Sequence, residues 1–142
     1  MAAYNKFTDF LLQLGKGIHH LQAGGDSLKI YLSNVAPVAG NTIKANIAEI
    51  ATGNGYTGPI AVPTQDYTLV ANKGTLTGGD VTFGPAVGGP IAQFRYAILY
   101  NDTPVSPADP LICWWDYGSA IDLQIGESFK VDFGAAIFDI GP

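Results

Sequence analysis

The fold is decided by the stretch Gln-Phe-Arg-Tyr-Ala-Ile-Leu-Tyr at residues 93–100, together with Leu-Ile-Cys-Trp-Trp-Asp-Tyr at residues 111–117. The first stretch is almost continuously aliphatic and aromatic, which is typical of a central strand that is covered on both faces of a sheet. The second stretch predicts another dense strand. Pro104, Pro107 and Pro110 stand between them, and because proline cannot donate to a strand ladder they predict an exposed loop. The sequence therefore predicts a central strand, an irregular loop and a second dense strand, in that order.

Shorter strands are predicted on both sides of this centre. Apolar and polar residues alternate in residues 27–33 and again in residues 127–133, which indicates strands with one buried and one wet face. Gly78-Gly79 between two short runs predicts a tight hairpin turn. The remaining predicted strands cover residues 65–71, 74–77, 80–83 and 136–140. About eight short strands predict a mainly β fold, an antiparallel β-sandwich or jelly-roll-like barrel preceded by an N-terminal amphipathic helix.

The N-terminal segment from Tyr4 to Gln22 has helical periodicity. Its apolar residues recur at spacings of three and four, which places them on one face of a helix. Glycines inside the segment weaken the helix by about 1 kcal/mol each, so its apolar face has to dock on something. We predict a helical arm over residues 1–25 and a β-sandwich or jelly-roll-like domain over residues 26–142, the arm packing either on this domain or on a partner subunit. The candidate interface residues of the arm are Tyr4, Phe7, Phe10, Leu11, Leu14 and Ile18.

The composition is poor in charge. Charged residues make up 13% of the chain and hydrophobic residues 47%, against about 25% charged residues in typical soluble domains. Part of the surface is therefore expected to be covered by neighbouring subunits or coated with uncharged polar residues. The net charge is −5 and the C-terminal half is acidic, which argues against a nucleic-acid partner because such a partner needs a basic footprint. No apolar stretch reaches the roughly 18 residues that cross a bilayer, so no membrane partner is expected.

Side chains that carry chemistry are few and scattered. His19 and His20 are adjacent and lack a further histidine at the spacing that helps to build a zinc site. The single cysteine, Cys113, excludes an internal disulfide and lies in an apolar run that predicts a small buried hydrophobe. The glycines of residues 53–58 are not followed by the lysine of a phosphate-binding loop, and no serine stands in a GxSxG pattern. We therefore predict no catalytic residue, no metal, no cofactor and no enzymatic activity.

Trp114, Trp115 and Asp116 form the one run that suggests a ligand. Two indole rings beside a hydrogen-bond acceptor are compatible with a carbohydrate-binding module, in which the rings stack on a sugar and Asp116 accepts hydrogen bonds from its hydroxyl groups. The competing interpretation is a core strand that turns outward at its end. Exposed rings in a groove would favour the carbohydrate-binding module, whereas packed rings would favour the core strand.

Several segments together resemble a family of small structural proteins encoded by tailed bacteriophages. They are spread from one end of the chain to the other, and none of them is a catalytic signature. The matching segments are Ala-Tyr-Asn-Lys-Phe at residues 3–7, Ser-Leu-Lys-Ile-Tyr-Leu-Ser-Asn at 27–34, Ala-Glu-Ile-Ala-Thr-Gly-Asn-Gly-Tyr at 48–56, Phe-Arg-Tyr-Ala-Ile-Leu-Tyr-Asn-Asp at 94–102 and Trp-Trp-Asp-Tyr-Gly at 114–118.

The resemblance implies a component of the virion that is present in many copies and is made in the host cytoplasm. The role we expect from it is a capsid decoration (cement) protein, which binds the major capsid protein on the outer shell of the head and stabilises that shell. A component associated with the tail or its fibres is the alternative. Because capsid shells offer local three-fold positions and symmetric oligomers are common, we expect self-association into a homotrimer.

Overall fold

The computed structural model of the chain describes residues 3–141. The protein is mainly β, with antiparallel sheets and one α-helix, as the sequence predicted. In chain order the elements are β1 (Ala3–Lys6), α1 (Thr8–Gly15), β2 (Leu28–Ser33), a 3-10 turn (Lys44–Asn46), β3 (Ile60–Ala61), β4 (Asp66–Val70), β5 (Lys73–Thr77), β6 (Val81–Phe83), β7 (Ile91–Asn101), β8 (Leu111–Leu123), β9 (Phe129–Val131) and β10 (Phe138–Ile140).

The largest sheet has five strands in the order β1-β8-β7-β2-β3. Its middle is formed by the two long apolar strands, β7 and β8, which pair antiparallel with Ile98 opposite Trp114. On its other side β7 pairs with β2, where Tyr31 lies opposite Ile98. The prediction that residues 93–100 form a central strand is therefore confirmed, and the second dense strand, β8, lies directly beside it.

Both faces of this sheet are covered, which explains why its central strands lack a polar face. On one face Leu28, Ile30, Leu99 and Trp115 belong to the main hydrophobic cluster, which the short strands β5, β6, β9 and β10 complete. On the opposite face the side chains of a second cluster are packed beneath the N-terminal segment and the loop that follows β2. This second cluster consists of Phe7, Tyr31, Ile47, Tyr96, Ile98, Tyr100, Leu111 and Trp114.

The short strands form two further sheets, one with the order β10-β5-β4 and one that pairs β6 with β9. The predicted hairpin turn at Gly78-Gly79 is wrong, because β5 and β6 belong to different sheets. The hairpin instead joins β4 to β5 through Ala71 and Asn72, whose φ angles of 50° and 66° are those of a type I′ turn. The two glycines serve close packing: a Cβ at Gly78 would lie 2.5 Å from Cγ1 of Val62.

The predicted helix over residues 4–22 is much shorter in the structure. Residues 3–6 form the edge strand β1, paired with β8 so that Tyr4 lies opposite Trp115. The helix then ends at Gly15, because Gly17 adopts a φ of +78° that favours glycine. The N–H groups of Gly17 and Ile18 donate to the carbonyls of Leu14 and Gln13, which is the hydrogen-bond pattern of a Schellman stop.

Candidate functional site

A cleft of about 550 Å³ opens between the edge strand β1 and the segment that joins β9 to β10. Four aromatic residues, Tyr4, Trp115, Tyr117 and Phe133, contribute to its walls. Tyr4 reaches the cleft from β1, Trp115 and Tyr117 from alternate positions of β8, and Phe133 from the opposite side. The ring centroids of Trp115 and Phe133 are 5.5 Å apart, so the floor of the cleft is continuous with the main hydrophobic cluster.

The charged groups at this cleft are already engaged by the protein. Lys130 Nζ lies 3.7 Å from a carboxylate oxygen of Asp80. The Oδ1 atom of Asp132 accepts a hydrogen bond of 2.9 Å from the N–H of Gly134. The Lys130 contact connects β9 to the residue before β6, and the Asp132 contact closes the turn at Gly134. The cleft is thus suited to apolar contact.

Trp114 and Trp115 point to opposite faces of the five-stranded sheet, because successive side chains of a strand alternate. Trp114 is 8% exposed and packs on Phe7 with ring centroids 4.5 Å apart. Trp115 is 9% exposed and belongs to the other cluster. The two rings therefore form no common platform on which a sugar would stack, and the interpretation of this run as a core strand fits their packing.

Asp116, the third residue of that run, forms a bidentate ion pair with Arg95. The guanidinium donates to its two carboxylate oxygens over 2.8 and 3.2 Å, and the N–H of Gly118 donates to Oδ1. The hydrogen bonds from Arg95, followed by that from Gly118, hold the pKa of Asp116 below its usual value. The carboxylate is therefore ionised and occupied at neutral pH.

The remaining candidates for chemistry do not meet at one place. Cys113 is fully buried, and burial raises the pKa of its thiol well above the usual value, which keeps it protonated and unreactive. His19 is buried while His20 is exposed. Within residues 3–141 no three His, Cys, Asp or Glu side chains are grouped closely enough to hold a metal ion.

The six predicted interface residues divide between the interior and the surface. Phe7 and Phe10 are fully buried in the chain's own clusters, which leaves them no surface for a partner. Leu14 and Ile18 are partly buried. Tyr4 and Leu11 are exposed. The apolar side of the N-terminal segment thus packs on its own chain, and only its outer residues are accessible to another molecule.

A second group of exposed apolar residues lies beside this segment. Leu12 is 52% exposed on α1, and Val38 is 60% exposed in a loop whose next residue, Ala39, accepts a hydrogen bond from the N–H of Thr8. We name the exposed side chains of α1 and this loop the N-terminal apolar surface. It consists of Leu11, Leu12, Val35 and Val38. The sequence held one signal for it, since two adjacent leucines on a helix cannot both occupy a narrow buried face.

Comparisons with models of protein families, with curated proteins and with solved structures found no match. Across the part of the chain that the structure describes, no helix has the length and apolar character needed to cross a membrane.

Proposed function

We propose that this protein is a virion structural protein of a tailed bacteriophage, and that it acts as a capsid decoration (cement) protein bound to the major capsid protein. The observation that carries the proposal is the N-terminal apolar surface, in which Leu11 and Leu12 are exposed on the anchored helix α1 and Val35 and Val38 are exposed in a loop. Leu11 and Leu12 are adjacent on α1 and are 49% and 52% exposed, and grouped exposed apolar residues mark interaction sites. The resemblance of segments along the whole chain to phage structural proteins supplies the virion context.

The anchoring of α1 makes this surface suitable for binding. Strand β1 is hydrogen-bonded to β8 immediately before the helix, and the N–H of Phe7 donates to the carbonyl of Ile112 over 3.1 Å. Phe10 on the helix is fully buried and lies 5.4 Å from Phe138 between ring centroids. The exposed Leu11 and Leu12 are thus held in place before a partner arrives, which reduces the entropy that binding costs.

Repetition would supply the affinity that one modest surface lacks. A capsid presents the same site many times, and linked copies of a weak binder reach high avidity without any new contact. We therefore propose that the protein is a homotrimer, which matches the symmetry of local three-fold positions on a shell. We also propose that its sheets are arranged as a β-sandwich or a jelly-roll-like barrel. The low content of charged residues, 13%, fits a protein that is partly covered by its neighbours.

The proposal is tested by adding the purified protein to heads that lack it and imaging them by cryo-electron microscopy. We expect density at repeated positions of the capsid lattice. The double variant Leu11→Ser, Leu12→Ser should lose this binding. The control is Leu69→Ser, Val70→Ser, which changes apolar residues at the β4–β5 hairpin that are at least as exposed, and this variant should bind normally. Density at the tail alone would show that the protein is a tail or fibre component instead.

The oligomeric state is tested separately by size-exclusion chromatography with light scattering, which measures the mass of the protein as it leaves the column. A mass of three chains at micromolar concentration is expected for the free protein. A monomer at every concentration, both free and on the shell, would contradict the proposed trimer without contradicting capsid binding.

A further inference from the structure

A buried polar network connects the loop after α1 to the end of β7. His19 is 5% exposed and Asn101 is fully buried. The side-chain amide nitrogen of Asn101 lies 3.1 Å from His19 Nδ1 and 2.7 Å from Asp26 Oδ2. The amide oxygen of Asn101 accepts a hydrogen bond of 3.1 Å from the N–H of Thr103. Each polar atom of the Asn101 side chain therefore has a defined partner.

These partners determine the orientation of the Asn101 amide. Its NH2 group must face Asp26, because a carboxylate only accepts hydrogen bonds, and its oxygen must face the Thr103 N–H, which only donates. The second hydrogen of the NH2 group then points to His19 Nδ1, which has to be an unprotonated acceptor. His19 is consequently neutral with its proton on Nε2, and Nε2 is a buried atom with no hydrogen-bond partner within residues 3–141.

A second proton on His19 has no place in this arrangement. It would sit on Nδ1 and face the NH2 group of Asn101, donor against donor. Inverting the amide would place its oxygen against Asp26 and its NH2 group against the Thr103 N–H, which breaks two hydrogen bonds. Flipping the imidazole would put a ring C–H against the amide, so Asn101 would still lose its acceptor. No side-chain rearrangement within the network satisfies all four groups once His19 is charged.

The carboxylates near His19 do not raise its pKa enough to stabilise the protonated form. Burial lowers the pKa of His19 to about 4, although the carboxylates of Asp26 and of Asp9 on α1 act in the opposite direction. His20, the adjacent titratable group, also acts to lower it. Burial works to raise the pKa of Asp26, but hydrogen bonds from Asn101 and from the His20 backbone outweigh it, so that the net pKa is lowered. Asp26 therefore stays ionised and keeps the amide in its orientation.

We propose that His19, Asn101 and Asp26 form an acid-sensitive latch, which fastens residues 16–27 to the end of β7 and opens when His19 takes up a proton. Opening is the outcome because only movement of His19 into water gives both imidazole nitrogens partners. The ring of Phe10 lies 5.1 Å from that of His19 between centroids, so the opened loop uncovers the buried side of α1. This inference does not depend on a capsid role.

The state of His19 in the intact protein is tested first by NMR of the imidazole nitrogens. We expect the tautomer with the proton on Nε2 and no titration of His19 between pH 8 and pH 5. A proton on Nδ1 at pH 7, or a titration midpoint near the ordinary 6.5 of an exposed histidine, would overturn the proposal. This measurement needs no variant and so cannot fail through misfolding.

Opening of the latch is tested by hydrogen exchange of the amides of residues 16–27, corrected for the intrinsic dependence of exchange on pH. If opened His19 has an ordinary pKa, the open population should rise roughly 70-fold between pH 7.5 and pH 4.5, as linkage between its two pKa values requires. Amides at the centre of β7 and β8 should not show this increase.

Two variants make the hydrogen-exchange result specific. In His19→Asn the side-chain oxygen takes the place of the Nδ1 acceptor but binds no proton, so the increase in exchange at low pH should disappear. The control His20→Asn changes the exposed neighbour, whose Nδ1 lies 3.5 Å from Asp26 Oδ2, and should keep the increase because the hydrogen bond from the backbone N–H of this residue to Asp26 remains. Equal pH dependence in His19→Asn and the unmodified protein would overturn the proposal.

Discussion

Trp114 and Trp115 are neighbours in sequence yet lie in two different hydrophobic clusters, on opposite faces of the same sheet. Each indole ring is covered by an aromatic residue from elsewhere in the chain, Phe7 on one face and Phe133 on the other. The pair therefore joins the two layers of packing above and below β8.

This relationship predicts the fluorescence of the protein. Because both rings are more than nine-tenths buried, we expect blue-shifted tryptophan emission and weak quenching by acrylamide in the native state. Addition of simple sugars should leave the emission unchanged. Strong quenching of either ring, tested in Trp114→Phe and Trp115→Phe to tell the two apart, would contradict the packing described here.

The two sides of α1 should differ sharply in their contribution to stability. Phe10→Ala removes a fully buried ring and should lower the free energy of unfolding by about 3–5 kcal/mol. Leu12→Ala removes an exposed side chain of the same helix and should change it by less than about 0.5 kcal/mol. Urea denaturation of the two variants measures both values, and similar losses would show that α1 packs in another orientation.

Gly78 should be required for stability because it has no side chain. Gly78→Ala places a methyl group against the stiff side chain of Val62 and should cost about 1–3 kcal/mol through overpacking. In a Val62→Ala background the same substitution should cost clearly less, because the nearest obstruction is gone and only Ile137 Cδ1, 3.2 Å from the added Cβ, remains tight. Gly40→Ala is the control, since nothing lies within 4 Å of a Cβ there. A cost that is equal in both backgrounds would rule out the contact as the cause.

The hydroxyl of Tyr56 should stabilise the fold through two hydrogen bonds, one buried and one partly buried. It donates to Glu49 Oε2 over 2.6 Å and accepts from the N–H of Leu32 over 3.2 Å. Tyr56→Phe leaves the Leu32 N–H unpaired and should lower the free energy of unfolding by about 1–3 kcal/mol. Tyr117→Phe is the control, because that hydroxyl makes no hydrogen bond in the described part of the chain. Thermal unfolding compares the two, and equal stability would contradict the hydrogen bonds of Tyr56.

The central strand could be predicted because a strand that is covered on both faces carries apolar residues on both faces. Residues 93–100 are apolar on both sides since both faces of β7 are covered, and that pattern is visible without any knowledge of the partners. The strand period of two also separates Trp114 from Trp115, so their failure to form one platform was available from the sequence.

The edges of the fold could not be predicted in the same way. Residues 3–6 are a strand only because β8 accepts them, and four residues carry too little pattern to reveal a partner more than a hundred positions away. The sequence predicts that Gly17 destabilises a long helix from within, whereas in the structure it terminates a short helix. The far wall of the aromatic cleft depends on how the segment from β9 to β10 packs, which local sequence does not encode.

The pairing of β1 with β8 also has a consequence for how the chain is made. Ala3 emerges from the ribosome long before its partner, Asp116. Until then the first strand has no ladder to join and Phe7 has no Trp114 to cover. Closing such a long loop costs conformational entropy before any native contact compensates for that cost, and this slows folding. Strand β1 is thus synthesised well before β8, and it cannot reach its final place until β8 has been made.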